Sequence, residues 1–123
     1  MTVGLSTTGL ANVWLDELDV KAAWGKLHTA DPGASATTAA STETTRKAIT
    51  YSAASAGVKN MTGTLTWAAW SASNETLSHL STWSASTAGT FSFSVAFTTP
   101  RAVVGGDTLT VTSLSVSQAP LAA

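Results

Sequence analysis

The chain holds two histidines and no cysteine. His28 precedes Asp31 in an H-x-x-D spacing, and His79 follows shortly after Glu75. A metal ion needs three or four ligands converging on it. Neither pair has a further donor close by in sequence, so no metal is expected. The plainer role for His28 is a bond to the turn it precedes, and for His79 a half-buried place on a strand. Without cysteine there is no thiolate ligand, thiol nucleophile or disulfide framework. Serine is so common that a Ser–His–Asp set can be drawn almost anywhere, but the G-x-S-x-G elbow that would mark one is absent. Neither G-x-x-x-x-G-K-[ST] nor G-x-G-x-x-G occurs, so no phosphate loop is expected. Asp16, Glu17 and Asp19 read as a solvated helix end rather than an acid/base pair. No enzyme, no catalytic residue and no cofactor are expected.

The aromatic residues carry more. Trp14, Trp24, Trp67, Trp70 and Trp83 are large apolar bodies, each with one N–H to satisfy. Core packing or a subunit interface is the first reading; stacking on sugar rings is the other. Trp67 and Trp70 lie three apart, so a strand through both turns them to opposite sides and one faces outward. Trp70 is therefore an interface candidate. Asn60-Met61-Thr62 and Asn74-Glu75-Thr76 match the glycosylation sequon by chance in a Thr-rich chain.

These residues need elements to hold them. Leu10, Val13, Trp14 and Leu18 form an apolar stripe at helical spacing, and Ser6, Thr7 and Thr8 offer caps, so a helix is predicted over 7–18. Its stripe is a second interface candidate. Strands are predicted at 22–29, 46–52, 58–70, 76–84 and 90–98, with one or two more from Leu109 to Val116. Phe91, Phe93, Val95 and Phe97 alternate with Ser92, Ser94 and Ala96, the signature of a strand with one buried face. Asp31-Pro32-Gly33 is a turn, and 34–45 reads as a loop. Short strands separated by turns predict a mainly β chain. The expected fold is an antiparallel β-sandwich, jelly-roll or Ig-like, with one short N-terminal α-helix. It is expected to form a single domain over 1–123: a helical segment at 1–20, the sandwich at 21–117 and a tail at 118–123.

The 123 residues are 44% hydrophobic and only 11% charged, with a net charge of −1. No basic patch is available to neutralise phosphates or anionic lipid, so no nucleic acid and no membrane partner are expected. No signal peptide is expected from the N-terminal residues. Ser and Thr make up nearly a third of the chain. A neutral hydroxyl-rich exterior lets many copies pack without burying unpaired charge.

Lys26-Leu27-His28-Thr29-Ala30-Asp31-Pro32-Gly33-Ala34, followed by Glu43-Thr44-Thr45-Arg46, resembles a K-L-H-T-x-D-P-G-A…E-T-T-R signature. It is that of small tailed-phage virion proteins, notably of actinobacterial phages. Leu65-Thr66-Trp67, Asn74–Leu80, Trp83–Thr90 and Gly105–Leu109 follow in the same order, and the likeness runs from about Gly4 to Val116. The loop after Gly33 departs from it, being rich in Ala and Thr where the family has Asn. The resemblance implies a bacteriophage virion structural protein of the minor tail or tail-fibre type. Capsid decoration is an alternative, and a carbohydrate-binding module contacting host cell-wall glycan a second. It implies tail or capsid subunits as partners, a homo-oligomer such as a trimer, assembly in the host cytoplasm and no catalytic residues. Its turn residues are His28, Asp31, Pro32 and Gly33. If the helix docks on a neighbouring subunit, a chain lacking residues 1–18 is expected to stay folded and fail to enter particles.

Overall fold

The computed structural model describes residues 3–122. Ser6 opens the helical segment: its hydroxyl accepts the Gly9 N–H at 3.1 Å, and its carbonyl accepts from Ala11 at 2.8 Å. That i→i−5 bond makes Thr7–Ala11 a wide turn, which tightens into α1 (Asn12–Asp16) and α2 (Leu18–Lys21). The segment thus runs somewhat beyond the expected 7–18. Its buried face also differs from the expected stripe. Ala11 and Leu15 are buried, whereas Val13 and Trp14 are exposed and Leu10 and Leu18 half-buried. The wide turn rotates the stripe relative to a regular 3.6-residue count, so the small Ala11 sits where the segment approaches the strands closely.

Among the described residues nine strands follow, all paired antiparallel: β1 (Trp24–His28), β2 (Lys47–Ala48), β3 (Thr50–Tyr51), β4 (Val58–Thr62), β5 (Leu65–Trp67), β6 (Glu75–Trp83), β7 (Phe91–Val103), β8 (Leu109–Val111) and β9 (Ser115–Ser117). They form a four-stranded sheet in the order β2-β1-β6-β7, a three-stranded sheet β3-β4-β9 and a two-stranded sheet β5-β8. The expected strand 46–52 is split around buried Ile49. The expected strand 58–70 is broken at Gly63, whose φ of +68° turns the chain between β4 and β5. β5 itself ends at Trp67, and Ala69 takes a φ of 50°, which removes the alternation on which an outward Trp rested. Trp67 and Trp70 are both 3% exposed and both in the core, so Trp70 offers no face to a partner in this chain.

Among the described residues, one buried core draws on the four-stranded and two-stranded sheets. Leu27 of β1, Leu77 and Leu80 of β6 and Val103 of β7 meet Leu65 and Trp67 of β5, Leu109 of β8, Trp70 and Leu114. Phe93, Val95 and Phe97 of β7 pack on its margin. Residues 118–122 run back to the start of the chain. The Leu5 N–H donates to Pro120 O and the Ala122 N–H to Leu5 O, both at 2.7 Å.

The hairpin into β4 shows how local chemistry constrains the fold. Ser55 and Val58 exchange two backbone bonds of 2.9 Å around Ala56 (φ 52°) and Gly57 (φ +74°). Two successive positive φ values suit Asn-Gly and penalise alanine at the first place. Ala56→Asn is expected to stabilise the chain by about 0.5–1 kcal/mol in urea unfolding. Gly57→Ala is expected to destabilise it, because an added Cβ would stand 2.7 Å from Leu121 Cδ1.

Candidate functional site

The His28 side chain is fully buried. Its Nδ1 lies 3.1 Å from Thr38 O and its Nε2 2.7 Å from Ser81 Oγ. A carbonyl can only accept, so Nδ1 carries the proton and Nε2 accepts from the Ser81 hydroxyl. Ser81 Oγ in turn accepts the Trp83 Nε1–H at 2.8 Å. The relay Trp83 to Ser81 to His28 to Thr38 is therefore closed, with a neutral imidazole in one tautomer. Burial holds that imidazole below its ordinary pKa. Ser81 with His28 has the spacing of a nucleophile and its base. Yet both are buried, and the third group is a carbonyl rather than a carboxylate. No substrate carbonyl can reach the hydroxyl, so the arrangement is structural.

His79 faces His28 across the β1–β6 pair, and its Nδ1 bonds Ser78 Oγ at 2.8 Å. Among the described residues, no three His, Asp or Glu gather in a way that could hold a metal. Glu75, the carboxylate nearest His79 in sequence, is spent elsewhere: it accepts from the Ser41 hydroxyl, from the Thr42 N–H at 3.1 Å and from the Thr42 hydroxyl at 3.2 Å.

These bonds explain the signature loop. Asp31 Oδ1 accepts the Gly33 N–H at 2.9 Å, Pro32 is buried, and Gly33 takes a φ of +79°. The chain then returns along β1, where Thr29 N–H donates to Ala39 O at 2.8 Å and Ser41 N–H to Leu27 O at 3.1 Å. Trp67 Nε1–H donates to Thr45 O at 2.9 Å. Arg46 Nη1 donates to the carbonyls of Ala85 and Ala88, each at 2.7 Å, and its guanidinium lies 4.2 Å from the Trp83 ring centroid. A stretch with no apolar period is thus held by side chains reaching in from β1, β5 and β6. His28, Asp31, Pro32 and Gly33 build that loop rather than display a ligand-binding group.

A second polar site was illegible in the sequence. Lys59 of β4 is fully buried, and its Nζ lies 2.7 Å from Asp16 Oδ1 and 3.0 Å from Asp19 Oδ1. Tyr51 presents its ring 5.7 Å away and donates its hydroxyl to Ala22 O at 2.8 Å. Asp16 also accepts the Ala54 N–H at 2.8 Å, and Asn12 Oδ1 the Gly57 N–H at 3.0 Å. Asp16, Glu17 and Asp19 are exposed, as expected of a solvated helix end, but Asp16 and Asp19 also clamp Lys59. Burial alone would lower the Lys59 pKa, but the bonds to Asp16 and Asp19 outweigh it and hold it above the usual value. The Lys59 bond and the Ala54 N–H hold Asp16 below its own. Burial, then the Asp19 charge, pushes Tyr51 up to about 12. Removing residues 1–18 would strip Asp16 from a buried ammonium, so that truncation does not isolate a docking function.

Away from the clamp, the helical segment exposes Val13 (54%), Trp14 (49%) and Val20 (64%). A separate cleft of about 460 Å³ opens where Phe97–Pro100 bulge from β7, with Leu109, Val111 and Leu114 on its far side. Arg101 is its sole titratable lining residue, so it holds no acid/base pair.

A family model described as "Podophage GP4 fiber I protein gp80" matches residues 17–118. Leu10, Val13 and Trp14 precede that span. No curated protein matches the chain.

The pH dependence of stability follows from the shifts. For His28, whose folded pKa is lowered, the unfolded chain binds the extra proton; stability is full above about pH 6.5 and falls below it. For Asp16, also lowered, stability is full above the ordinary Asp value and lost as pH falls through the folded one. For Lys59 and Tyr51, both raised, stability is full below their ordinary values and lost as pH rises through the folded ones. Urea midpoints measured across pH are expected to show a shallow decline below about pH 6.5, which His28→Gln flattens. A further decline in stronger acid is expected to flatten in D16N.

Proposed function

Because the chain belongs to the podophage GP4 fiber I protein gp80 family, a family of phage virion structural proteins, we propose that it acts by docking its N-terminal helical face on neighbouring virion subunits. It is a tail-fibre or minor-tail structural protein, not an enzyme. The observation that carries the docking reading is the exposure of Val13, Trp14 and Val20 on a segment whose other face is clamped to β4. The clamp fixes the direction in which these side chains point, so the patch is preformed and little ordering cost attends its burial. Leu10 and Leu18, half-buried, form its margins. Trp70 takes no part.

The family's description as a fibre protein favours the tail over decoration of the capsid. The neutral Ser- and Thr-rich surface suits a homo-oligomer formed in the host cytoplasm and packed beside tail subunits. We take the chain as one domain, with sheets enclosing the core as an open sandwich. The K-L-H-T-x-D-P-G-A…E-T-T-R signature serves to build the 30–46 loop. A second reading, contact with a host glycan, rests on the exposed Trp14 indole, an apolar face of the kind that stacks on sugars.

V13S/W14S tests the first reading. Both side chains are solvent-facing, so its stability is expected to stay within about 0.5 kcal/mol of the parent. Its incorporation into particles, measured by immunoblot of purified virions, is expected to fall several-fold. Normal incorporation would overturn helix docking. Saturable quenching of Trp fluorescence by cell-wall sugars, lost in W14S, would instead support glycan contact.

A further inference from the structure

We infer that β7 pairs with β7 of a second copy, antiparallel about a two-fold axis at Val95, across the segment Phe93–Phe97. This rests on the homo-oligomer reading above and specifies its surface. β7 is an edge strand of the four-stranded sheet. The opposite edge, β2, is two residues long and carries Lys47, which are devices that discourage further pairing. β7 has neither. It runs for 13 residues, and from Phe91 to Phe97 it contains no charge and no proline. The pairing segment lies between two register shifts: one opposite Ser92 and Phe93, where Ser81 faces Ser94 but Trp83 faces Phe91, and one where Leu77 faces Arg101 but His79 faces Ala96 and Pro100 removes a donor.

The backbone directions fit. The Phe93 N–H donates to Thr82 Oγ1 at 3.3 Å, and the Phe93 C=O accepts from the same hydroxyl at 3.0 Å. Phe93 therefore directs both groups at β6. Strand alternation turns the N–H and C=O of Ser94 and Ala96 to the free edge. Exposure alternates in step, with Phe93, Val95 and Phe97 half-buried and Ser94 and Ala96 exposed.

The sequence Phe93-Ser94-Val95-Ala96-Phe97 reads almost the same in both directions. Inverted on itself, it sets Val95 against Val95, Ser94 against Ala96 and Phe93 against Phe97. Each Ser94–Ala96 pair exchanges two backbone bonds, and no like charges meet. The half-buried Phe and Val side chains gain the cover that a strand beyond β7 would give, which is why a second copy fits better than an unrelated, charged strand. The contact is isologous, so it closes at two copies.

Sedimentation velocity on the full chain tests this with two double variants at exposed positions. S94K/A96K sets like charges opposite each other across the axis; S94K/A96E sets opposite ones. Matched melting temperatures establish that both fold. The parent and S94K/A96E are expected to sediment as dimers, while S94K/A96K weakens self-association by roughly tenfold or more. V95C is expected to form a disulfide-linked dimer under mild oxidation, and S71C, at an exposed site away from β7, to remain uncrosslinked. Assembly of the parent that S94K/A96K leaves unchanged would overturn β7 pairing while sparing the homo-oligomer reading. A monomeric parent would overturn both. Equal behaviour of the two double variants would overturn the Val95-centred register.

Discussion

The Lys59 ammonium has no water to turn to. It lies on β4 beneath the helical segment, with Asp16 and Asp19 as its two counter-charges. A buried cation is tolerable only when it is paired and hydrogen-bonded. That requirement holds the helical segment on β4, and Asn12 and Asp16 extend the hold to Ala54 and Gly57 through backbone donors. Much else depends on it. Tyr51 is fixed beside the ammonium, and its hydroxyl closes the carbonyl of Ala22, where the helical segment gives way to β1. The Lys21 carbonyl accepts from the Ser92 hydroxyl, linking that junction to β7. Opening the clamp would loosen both the outward face of the helix and one end of the edge strand.

A second constraint is the scarcity of charge elsewhere. With 11% charged residues, the chain commits several of them to bonds within itself: buried Lys59 with the exposed Asp16 and Asp19 in the clamp, Glu75 and Arg46 at the loop, and exposed Asp31 in its turn. What remains outside is mostly hydroxyl and methyl. Such a surface is poor at steering a charged ligand and well suited to lie against other subunits. A virion fibre protein needs rigid, repeatable contacts rather than chemistry, and the interior polar groups here supply rigidity.

The sequence made the β elements legible where one principle governed. Strict alternation from Phe91 to Phe97 marked β7, and Asp31-Pro32-Gly33 marked its turn, because each is a local effect. The buried helical face was not legible, since an i→i−5 turn at Ser6 shifts the register and no residue type announces one. The break at Gly63 was hidden inside a plausible strand. The clamp was invisible for a different reason: Lys59 and Asp16 are distant in sequence, and an acidic helix end resembles a solvated one until its counter-charge is placed. The loop 34–45 carried no period because it is held from outside, by Glu75, Trp67 and His28. His28 was expected to bond the turn it precedes; it reaches Thr38 within the ensuing loop, and Ser81 as well.

The central claim is that this rigid, sparsely charged β unit is a component of the phage tail apparatus. Immunogold electron microscopy of intact virions, with antibody raised against the purified chain, tests it most directly. The account predicts gold on the tail fibres or the adjoining tail. Gold confined to the capsid shell, or particles that carry no label while the free chain binds the antibody, would contradict it.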